Sequence, residues 1–290
     1  MKTQTNRYPL SSPQQQRGAA LLILLALVVL AAGYTLLKRL NQTPSDLSRA
    51  GDTAAVLGEA KAALIGFALR SQNLPGELPC PDINNTGTSG PLPCNGNTTF
   101  RLPWKTLGLT DLRDSSGERL WYAVDPLFSG AGGINSNTIA TQTIDGGATR
   151  YVAVIIAPGK SLQGQTRSGG QQNNILRYLE ADNANNDTVF VTAAGGDFND
   201  QLIGITRDEL MQAVERRVLK EVSNKLNAYH LANPYFPNPT PLGSSNCTTS
   251  AGTVPLNIAT TCPLQAPWGG GPDALPTWFQ ANGWDQIIWY

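Results

Sequence analysis

The sequence predicts an α+β protein: a long N-terminal helix, formed by a membrane span and an amphipathic stem, packed on a small antiparallel sheet with large loop insertions and one further helix. Two helical stretches come first, an uncharged run at 18–37 and an alanine-rich amphipathic stretch at 45–71. Short apolar or alternating segments follow at 119–124, 151–157 and 188–192. Helical periodicity followed by strand-like segments favours helices packed on one sheet.

The uncharged run is long enough to cross a membrane. Twenty residues, from Gly18 to Leu37, carry no charge, and Lys38 closes the run. With a rise of about 1.5 Å per residue, such a helix covers roughly 30 Å, the thickness of the bilayer hydrocarbon. We therefore expect one transmembrane helix at 19–40, followed by a stem helix at 45–71.

Three kinds of segment fit this run: a secretory signal peptide, a plain signal anchor, and a leader that is cut before the apolar helix. A signal peptide has an apolar core of about 7–15 residues followed by a small-residue cleavage site. This run is longer, and the best such site is Ala31-Ala32-Gly33. The leader is polar and basic, with Arg7 and Arg17, and Gly18 stands directly before the apolar residues. These features favour the third kind.

The residues QRGAALLILLALVVL, at 16–30, resemble the signal of type IV prepilins. The resemblance implies that a prepilin peptidase cuts between Gly18 and Ala19 and that the new Ala19 amine is N-methylated. It also implies a leader at 1–18, a cytoplasmic N-terminus, a single pass through the bacterial inner membrane, and a periplasmic globular domain at 73–290.

Ile23 departs from the usual pattern of this family. Most pilins and pseudopilins carry Glu at the fifth mature position, where it neutralises the N-terminal amine of a neighbouring subunit. An uncompensated buried charge costs several kcal/mol, so Glu is normally favoured there. The K-type minor pseudopilin of type II secretion and the X-type minor pilin lack it. The resemblance therefore implies a minor, tip or initiating subunit.

Motifs in the body resemble pseudopilin-like proteins with a G-type prepilin fold. They are ALIGFA at 63–68, LPCPD at 78–82, LPWKTLGL at 102–109 and DxxGxxLWYAV at 114–124. The implied function is a structural subunit that binds other pseudopilins or pilins in a filament. Type II secretion, a type IV pilus and a DNA-uptake system are all compatible with these residues.

The stem helix carries a mostly apolar stripe at heptad spacing. Its members are Leu47, Ala50, Ala54, Leu57, Lys61, Leu64 and Ala68. We expect this face to bind other filament subunits, so a charge at Leu57 or Leu64 should abolish assembly and leave the body folded. A linker helix is the alternative, which periodicity alone does not exclude.

The four cysteines form two close pairs in loops rich in Pro, Gly and Asn. They are Cys80, Cys94, Cys247 and Cys262. The chain has no CxxC motif and one histidine, which cannot complete a Cys/His zinc set. Disulfides made in an oxidising compartment are the plain interpretation. Three connectivities are possible, and loop size favours Cys80–Cys94 with Cys247–Cys262.

Charge and motif patterns bear on other function classes. The chain has 21 basic and 21 acidic residues without a basic stripe, so nucleic-acid binding has no electrostatic support. The Pro158–Ser161 stretch lacks the first glycine of a P-loop, because Val154 stands there, and no GxSxG motif occurs. We expect no enzymatic activity and no cofactor. A membrane-anchored periplasmic binding protein or hydrolase with an unidentified site is the alternative.

Calcium is a further possibility that the sequence raises. Two stretches offer clustered oxygen ligands, Asp182–Asp187 and Asp197–Asp200, and the candidates in the second are Asp197, Asn199 and Asp200. Calcium takes about six to eight oxygens, which loops supply readily. The EF-hand spacing is missing and polar loops explain the residues equally well, so no metal site is assigned.

A last helix is predicted from Thr206, whose capping box ends at Glu209. Its apolar positions recur every four residues: Leu210, Val214, Val218, Val222 and Leu226. A helix that docks on the sheet is favoured, and a helix that recruits another subunit is the alternative.

The chain ends with Trp278, Phe279, Trp284, Trp289 and Tyr290. We expect these aromatic residues to form core or a final strand after the Asn282-Gly283 turn, with a partner-binding patch as the alternative.

Overall fold

A computed structural model describes residues 27, 28, 30, 44–94, 99–130, 132–237, 239, 252–254 and 275–289. The chain divides into two units, 1–50 and 51–290. In the first unit Leu27, Val28 and Leu30 are helical. The predicted cleavage site at Gly18 and Ala19 lies outside the described residues, as does most of the predicted membrane helix. Among the residues that are described, no helix has the length and apolar character needed to cross a membrane.

The predicted stem helix is present as α1, Pro44–Arg70. Proline suits the first turn of a helix, because the amide hydrogen that it lacks has no partner there. Within the second unit, α1 buries one side. Its buried residues are Thr53, Leu57, Ala60, Leu64 and Ala68.

The described part of the second unit contains six strands: β1 Thr99–Arg101, β2 Trp121–Val124, β3 Thr143–Ile144, β4 Tyr151–Ala157, β5 Val189–Phe190 and β6 Gln201–Thr206. Four of them form an antiparallel sheet in the order β1-β2-β4-β6. Tyr122 of β2 pairs with Phe100 of β1 and with Ile155 of β4, which in turn pairs with Ile203 of β6. The predicted α+β class with a small antiparallel sheet is confirmed.

Both faces of this sheet are buried, which explains the continuous apolar run of β4. On one face, Tyr122 and Ile155 join a core that includes Leu64 of α1. On the other face, Trp121 and Val154 belong to a second cluster. The side chains that cover this second face come largely from residues 158–200, the crossing segment, which connects β4 to β6. They include Tyr178, Leu179, Ala184 and Phe190.

The crossing segment contains β5, which covers part of the predicted strand at 188–192. It pairs in parallel with β3 and does not join the main sheet. Residues 192–197 follow β5, and every one of them is exposed. A Cβ atom added at Gly195 or Gly196 would have no neighbouring atom within 4 Å.

The predicted last helix is present as α2, Arg207–Ala232. The Thr206 hydroxyl accepts a hydrogen bond from the Glu209 amide at 3.1 Å, as the capping box predicts. The predicted docking face is buried at Leu210, Val214, Val218 and Val222, and Leu226 is partly buried. Docking of this helix on the sheet is therefore confirmed.

The chain end differs from the predicted final strand. Helix α3, Thr277–Ala281, is followed by a 3-10 turn at Trp284–Gln286. Gly283 has a φ of 70°, and the Asn282 amide bonds back to the Trp278 carbonyl, so the Asn-Gly pair terminates a helix instead of joining two strands. The core interpretation is correct for the buried residues Trp278, Phe279 and Trp284.

Candidate functional site

The face of α1 that the sequence predicts to bind other subunits is instead buried inside the body. Leu57 and Leu64 lie in the core of the second unit, so a charge at either position should unfold the body. Ala54, assigned to the same face, is exposed. The predicted stripe shares Leu57, Leu64 and Ala68 with the buried side, but it included Ala54 and Lys61 where the buried residues are Thr53 and Ala60.

Lys61 has its partners inside the second unit. Its Nζ atom donates a hydrogen bond to the Gly204 carbonyl of β6 at 3.0 Å. The same atom lies 2.7 Å from Glu209 Oε2 on α2. The one polar residue of the predicted binding face therefore attaches α1 to the edge strand and to the second helix.

The other side of α1 is solvent-accessible and carries a run of small side chains beside the exposed Asp52 and Glu59. We name it the small-residue face, comprising Gly51, Ala54, Ala55, Gly58 and Ala62. Four of these residues are exposed, and Gly58 is half-buried. An added Cβ atom at Gly51 or Gly58 would meet nothing within 4 Å. Helical neighbours lie three or four residues apart, so these residues form one continuous surface. Such a surface allows the backbone of a second helix to approach closely.

The disulfide between Cys80 and Cys94 is present, with Cα atoms 5.3 Å apart. This is the first of the two predicted pairings. Cys247 and Cys262 lie outside the described residues, and their pairing stays a prediction.

The aspartates of the body motifs organise loops. Asp82 of LPCPD is buried, and its carboxylate accepts hydrogen bonds from the amides of Asn84 and Gly87. Asp114, which opens the DxxG motif, accepts from the Glu118 amide at 3.0 Å and from the Gly159 amide at 2.8 Å. Each carboxylate satisfies backbone donors that a turn leaves without partners. The motifs thus have a structural explanation.

Arg101 was not identified from the sequence. Its guanidinium carbon lies 4.1 Å from the ring centre of Trp121 and 4.0 Å from that of Tyr178. It donates to the carbonyls of Gln172 and Arg119. Burial lowers the pKa of Arg101 to about 10, so the side chain stays charged at neutral pH. Arg101 thereby fastens the crossing segment to the sheet. No local motif marks this role, because its partners are distant in sequence.

The predicted calcium candidates do not converge. Asp197 is exposed, Asn199 is half-buried and Asp200 is buried. Asp200 faces Glu180, and the Glu180 amide donates to Asp200 Oδ2 at 2.9 Å. Within the described ranges, no three residues of the His, Cys, Asp and Glu types are grouped so that they could hold a metal ion.

A cleft of about 410 Å³ lies between α2 and the chain end. Its apolar walls are Leu219, Trp284, Ile287, Ile288 and Trp289, and its polar edge is Ser136, Asn137 and Glu215. The Ser136 hydroxyl donates to Glu215 Oε1 at 2.6 Å. Leu219 is 52% exposed and Trp289 is 57% exposed. Within the described residues of the predicted aromatic terminus, Trp289 lines this cleft and is accessible to solvent.

His230 lies near the end of α2, as predicted, and its ring stacks on that of Phe236 with centres 4.4 Å apart. The side chain is exposed, and the helix C-terminus favours a cation at this position. Stacking and the helix dipole are sufficient to explain this residue.

Comparison of the chain with models of known protein families, with curated proteins and with solved structures gives no match. Its function is therefore argued from its own residues.

Proposed function

We propose that this protein is a minor subunit, acting at the tip or in initiation, of a type IV pilus-like or type II secretion pseudopilus filament. Its partners are other pilins or pseudopilins, and its pilin-like body is periplasmic behind a helix in the inner membrane. The small-residue face of α1 is the observation that carries the proposal. In a filament built on packed helices, this face would meet the helix of a neighbouring subunit.

The attachment of α1 supports this role. One side of the helix is fixed by core packing and by the contacts of Lys61 with Gly204 and Glu209. The opposite side is therefore held outward without bulky side chains. A Cβ atom added at Gly58 would meet open space, so the helix backbone is accessible there to a second helix.

The N-terminal residues supply the second support. Gly18 precedes an apolar run that the prepilin peptidase would leave on the mature chain, and Ile23 replaces the usual Glu. A subunit without this carboxylate cannot neutralise the amine of a neighbour. It therefore fits a place where that contact is not required, such as the tip.

Intact mass of the membrane-extracted protein tests the processing step. We expect a chain that begins at methylated Ala19, and Gly18→Leu should block the cut because a bulky residue replaces the required glycine. A native chain that starts at Met1, or one cut after Gly33, would overturn the prepilin assignment.

Copy number tests the position in the filament. Quantitative mass spectrometry of isolated filaments should find this protein scarce relative to the major subunit. A ratio near one to one would show a shaft component and contradict the inference from Ile23.

The cleft favours a second candidate, a membrane-anchored periplasmic binding protein. Ligand pockets are commonly apolar with a few polar groups at the edge, and this cleft has that composition. Native mass spectrometry of the purified protein would then show a bound small molecule that is lost in Trp289→Ala. If the wild type and the variant each have the mass of their own ligand-free chain, the filament role stands alone.

A further inference from the structure

We propose that Glu180 and Asp200 share one proton and form a pH-sensitive latch that holds the crossing segment on the sheet. This inference concerns the body alone and does not depend on assembly into a filament.

Glu180 and Asp200 are joined by two reciprocal hydrogen bonds. The Glu180 amide donates to Asp200 Oδ2 at 2.9 Å, and the Asp200 amide donates to Glu180 Oε2 at 3.1 Å. Glu180 Oε2, which accepts from the Asp200 amide, thereby lies beside the buried side chain of Asp200. Asp200 directly precedes β6, whereas Glu180 follows Tyr178 and Leu179, which pack on the sheet. The pair therefore joins the crossing segment to the start of the edge strand.

Asn183 connects this pair to Val191 by further hydrogen bonds. Its amide nitrogen donates to Asp200 Oδ2 at 3.0 Å and to the Val191 carbonyl at 3.1 Å. Its oxygen accepts from the Val191 amide at 2.9 Å. Through Asn183, the carboxyl pair also positions the chain immediately after β5.

One oxygen of the pair lacks a donor. Asp200 is only 5% exposed, and its Oδ1 atom is buried with no hydrogen-bond partner in the described part of the chain. A buried acceptor without a donor is costly, and two ionised carboxylates in contact repel each other. A proton on one carboxyl group removes the repulsion and supplies an O–H donor between the two groups.

The nearby charged side chains do not replace this proton by pairing with Glu180 or Asp200. Gln165 donates to Glu180 Oε1 at 2.7 Å, and the Arg167 guanidinium bonds to the Gln165 oxygen instead of to either carboxylate. The nearby chain also carries Lys160, Asp182 and Asp197, which are exposed, and Arg177, which is half-buried. No ion pair is formed by Glu180 or Asp200 within the described residues. Burial, and next to it the charge of Glu180, raises the pKa of Asp200 to about 8.

The direction of the pH effect follows from linkage. The pKa of Asp200 is higher in the folded state than in the unfolded chain, so the folded state binds one more proton between the two values. The stabilisation is complete below about pH 4 and is lost as the pH rises through about 8. Above that pH both carboxylates are charged, and their repulsion weakens the attachment of the crossing segment near β6.

The experiment is thermal unfolding of the full-length protein in detergent from pH 5 to pH 9. The wild-type Tm should fall by about 3 °C per pH unit relative to Asp200→Asn, and the difference should level off above about pH 8. In Asp200→Asn the amide replaces the protonated carboxyl as a donor to Glu180. Asp197→Asn removes the same charge at an exposed site and should follow the wild-type curve.

An unchanged pH profile in Asp200→Asn would overturn the latch. If Asp200→Asn does not fold, Glu180→Gln provides the same comparison. Infrared spectroscopy of the wild type should show a protonated carboxyl band at pH 6 that disappears above pH 8, and its absence at pH 6 would contradict the proposal.

Discussion

Lys61 of α1 and Glu209 of α2 form an ion pair whose Nζ and Oε2 atoms are 2.7 Å apart. The two residues belong to helices that pack on the same face of the sheet, and Lys61 also reaches the Gly204 carbonyl of β6. One side chain thus connects three elements that are distant in sequence. By orienting α1, this contact also sets the direction in which the small-residue face on its other side points.

Replacing Lys61 with Met should destabilise the body by about 1 kcal/mol, because the Gly204 carbonyl loses a charged donor while the aliphatic stem is retained. The ion pair itself should contribute less, since both side chains are partly exposed. Urea unfolding of Lys61→Met, Glu209→Gln and the double variant separates the two contributions. Strictly additive effects of the two substitutions would show that the pair is not coupled.

Enlarging the small-residue face should block assembly without unfolding the protein. Ala62→Leu places a bulky side chain on the exposed side of α1, so the Tm should stay near the wild-type value while incorporation into filaments is lost. Ala60→Leu is the matched control, because Ala60 is fully buried and overpacking costs about 1–3 kcal/mol. Normal incorporation of Ala62→Leu would exclude this face from the contact.

Local sequence patterns predicted the elements with strong signals of their own. The capping box at Thr206 and the four-residue apolar repeat located α2, and the apolar run at 151–157 located β4. Strand β6 was not predicted. It contains Gly204, a poor strand former, and pairing with β4 stabilises it. Its partner lies about fifty residues away, so no local window contains the signal.

In the candidate sites, too, features that depend on local sequence could be predicted and contacts between distant residues could not. The Cys80–Cys94 pairing could be predicted, because loop size depends on sequence separation alone. The sequence could not show whether the apolar stripe of α1 packs on a neighbouring subunit or on the protein's own sheet. Leu57, Leu64 and Ala68 belong both to the predicted binding face and to the buried side. The position of the sheet decides which partner they have. The contact of Glu180 with Asp200 likewise depends on how the crossing segment folds back.

Gly204→Ala should destabilise the body by about 1–3 kcal/mol. A Cβ atom at this position would collide with Cδ1 of Tyr151, so the ring or the edge strand must move. Chemical denaturation measures the loss. Gly58→Ala provides the comparison, because its Cβ atom meets open space and a helical Gly→Ala change gains about 0.5–1 kcal/mol. Equal effects of the two substitutions would contradict the close Tyr151 contact.

Removing the disulfide with Cys80→Ser and Cys94→Ser together should cost about 3 kcal/mol, as chain entropy predicts for a loop of this size. The reduced wild type should be no more stable than the double variant, because reduction also opens the predicted bridge between Cys247 and Cys262. Peptide mapping without reduction should recover Cys80 linked to Cys94. Free thiols in the native protein, or a crossed pairing with Cys247 or Cys262, would refute this assignment.

The exposed stretch at 192–197 has a practical consequence. A Cβ atom added at Gly195 or Gly196 would meet open space, whereas the start of the stretch is held by two hydrogen bonds from Thr192 to Asp145. Exposed loop tips of this kind tolerate inserted sequence. A short epitope or a dye-binding peptide placed between the two glycines would therefore mark individual molecules for light or electron microscopy while leaving α1 and the cleft intact.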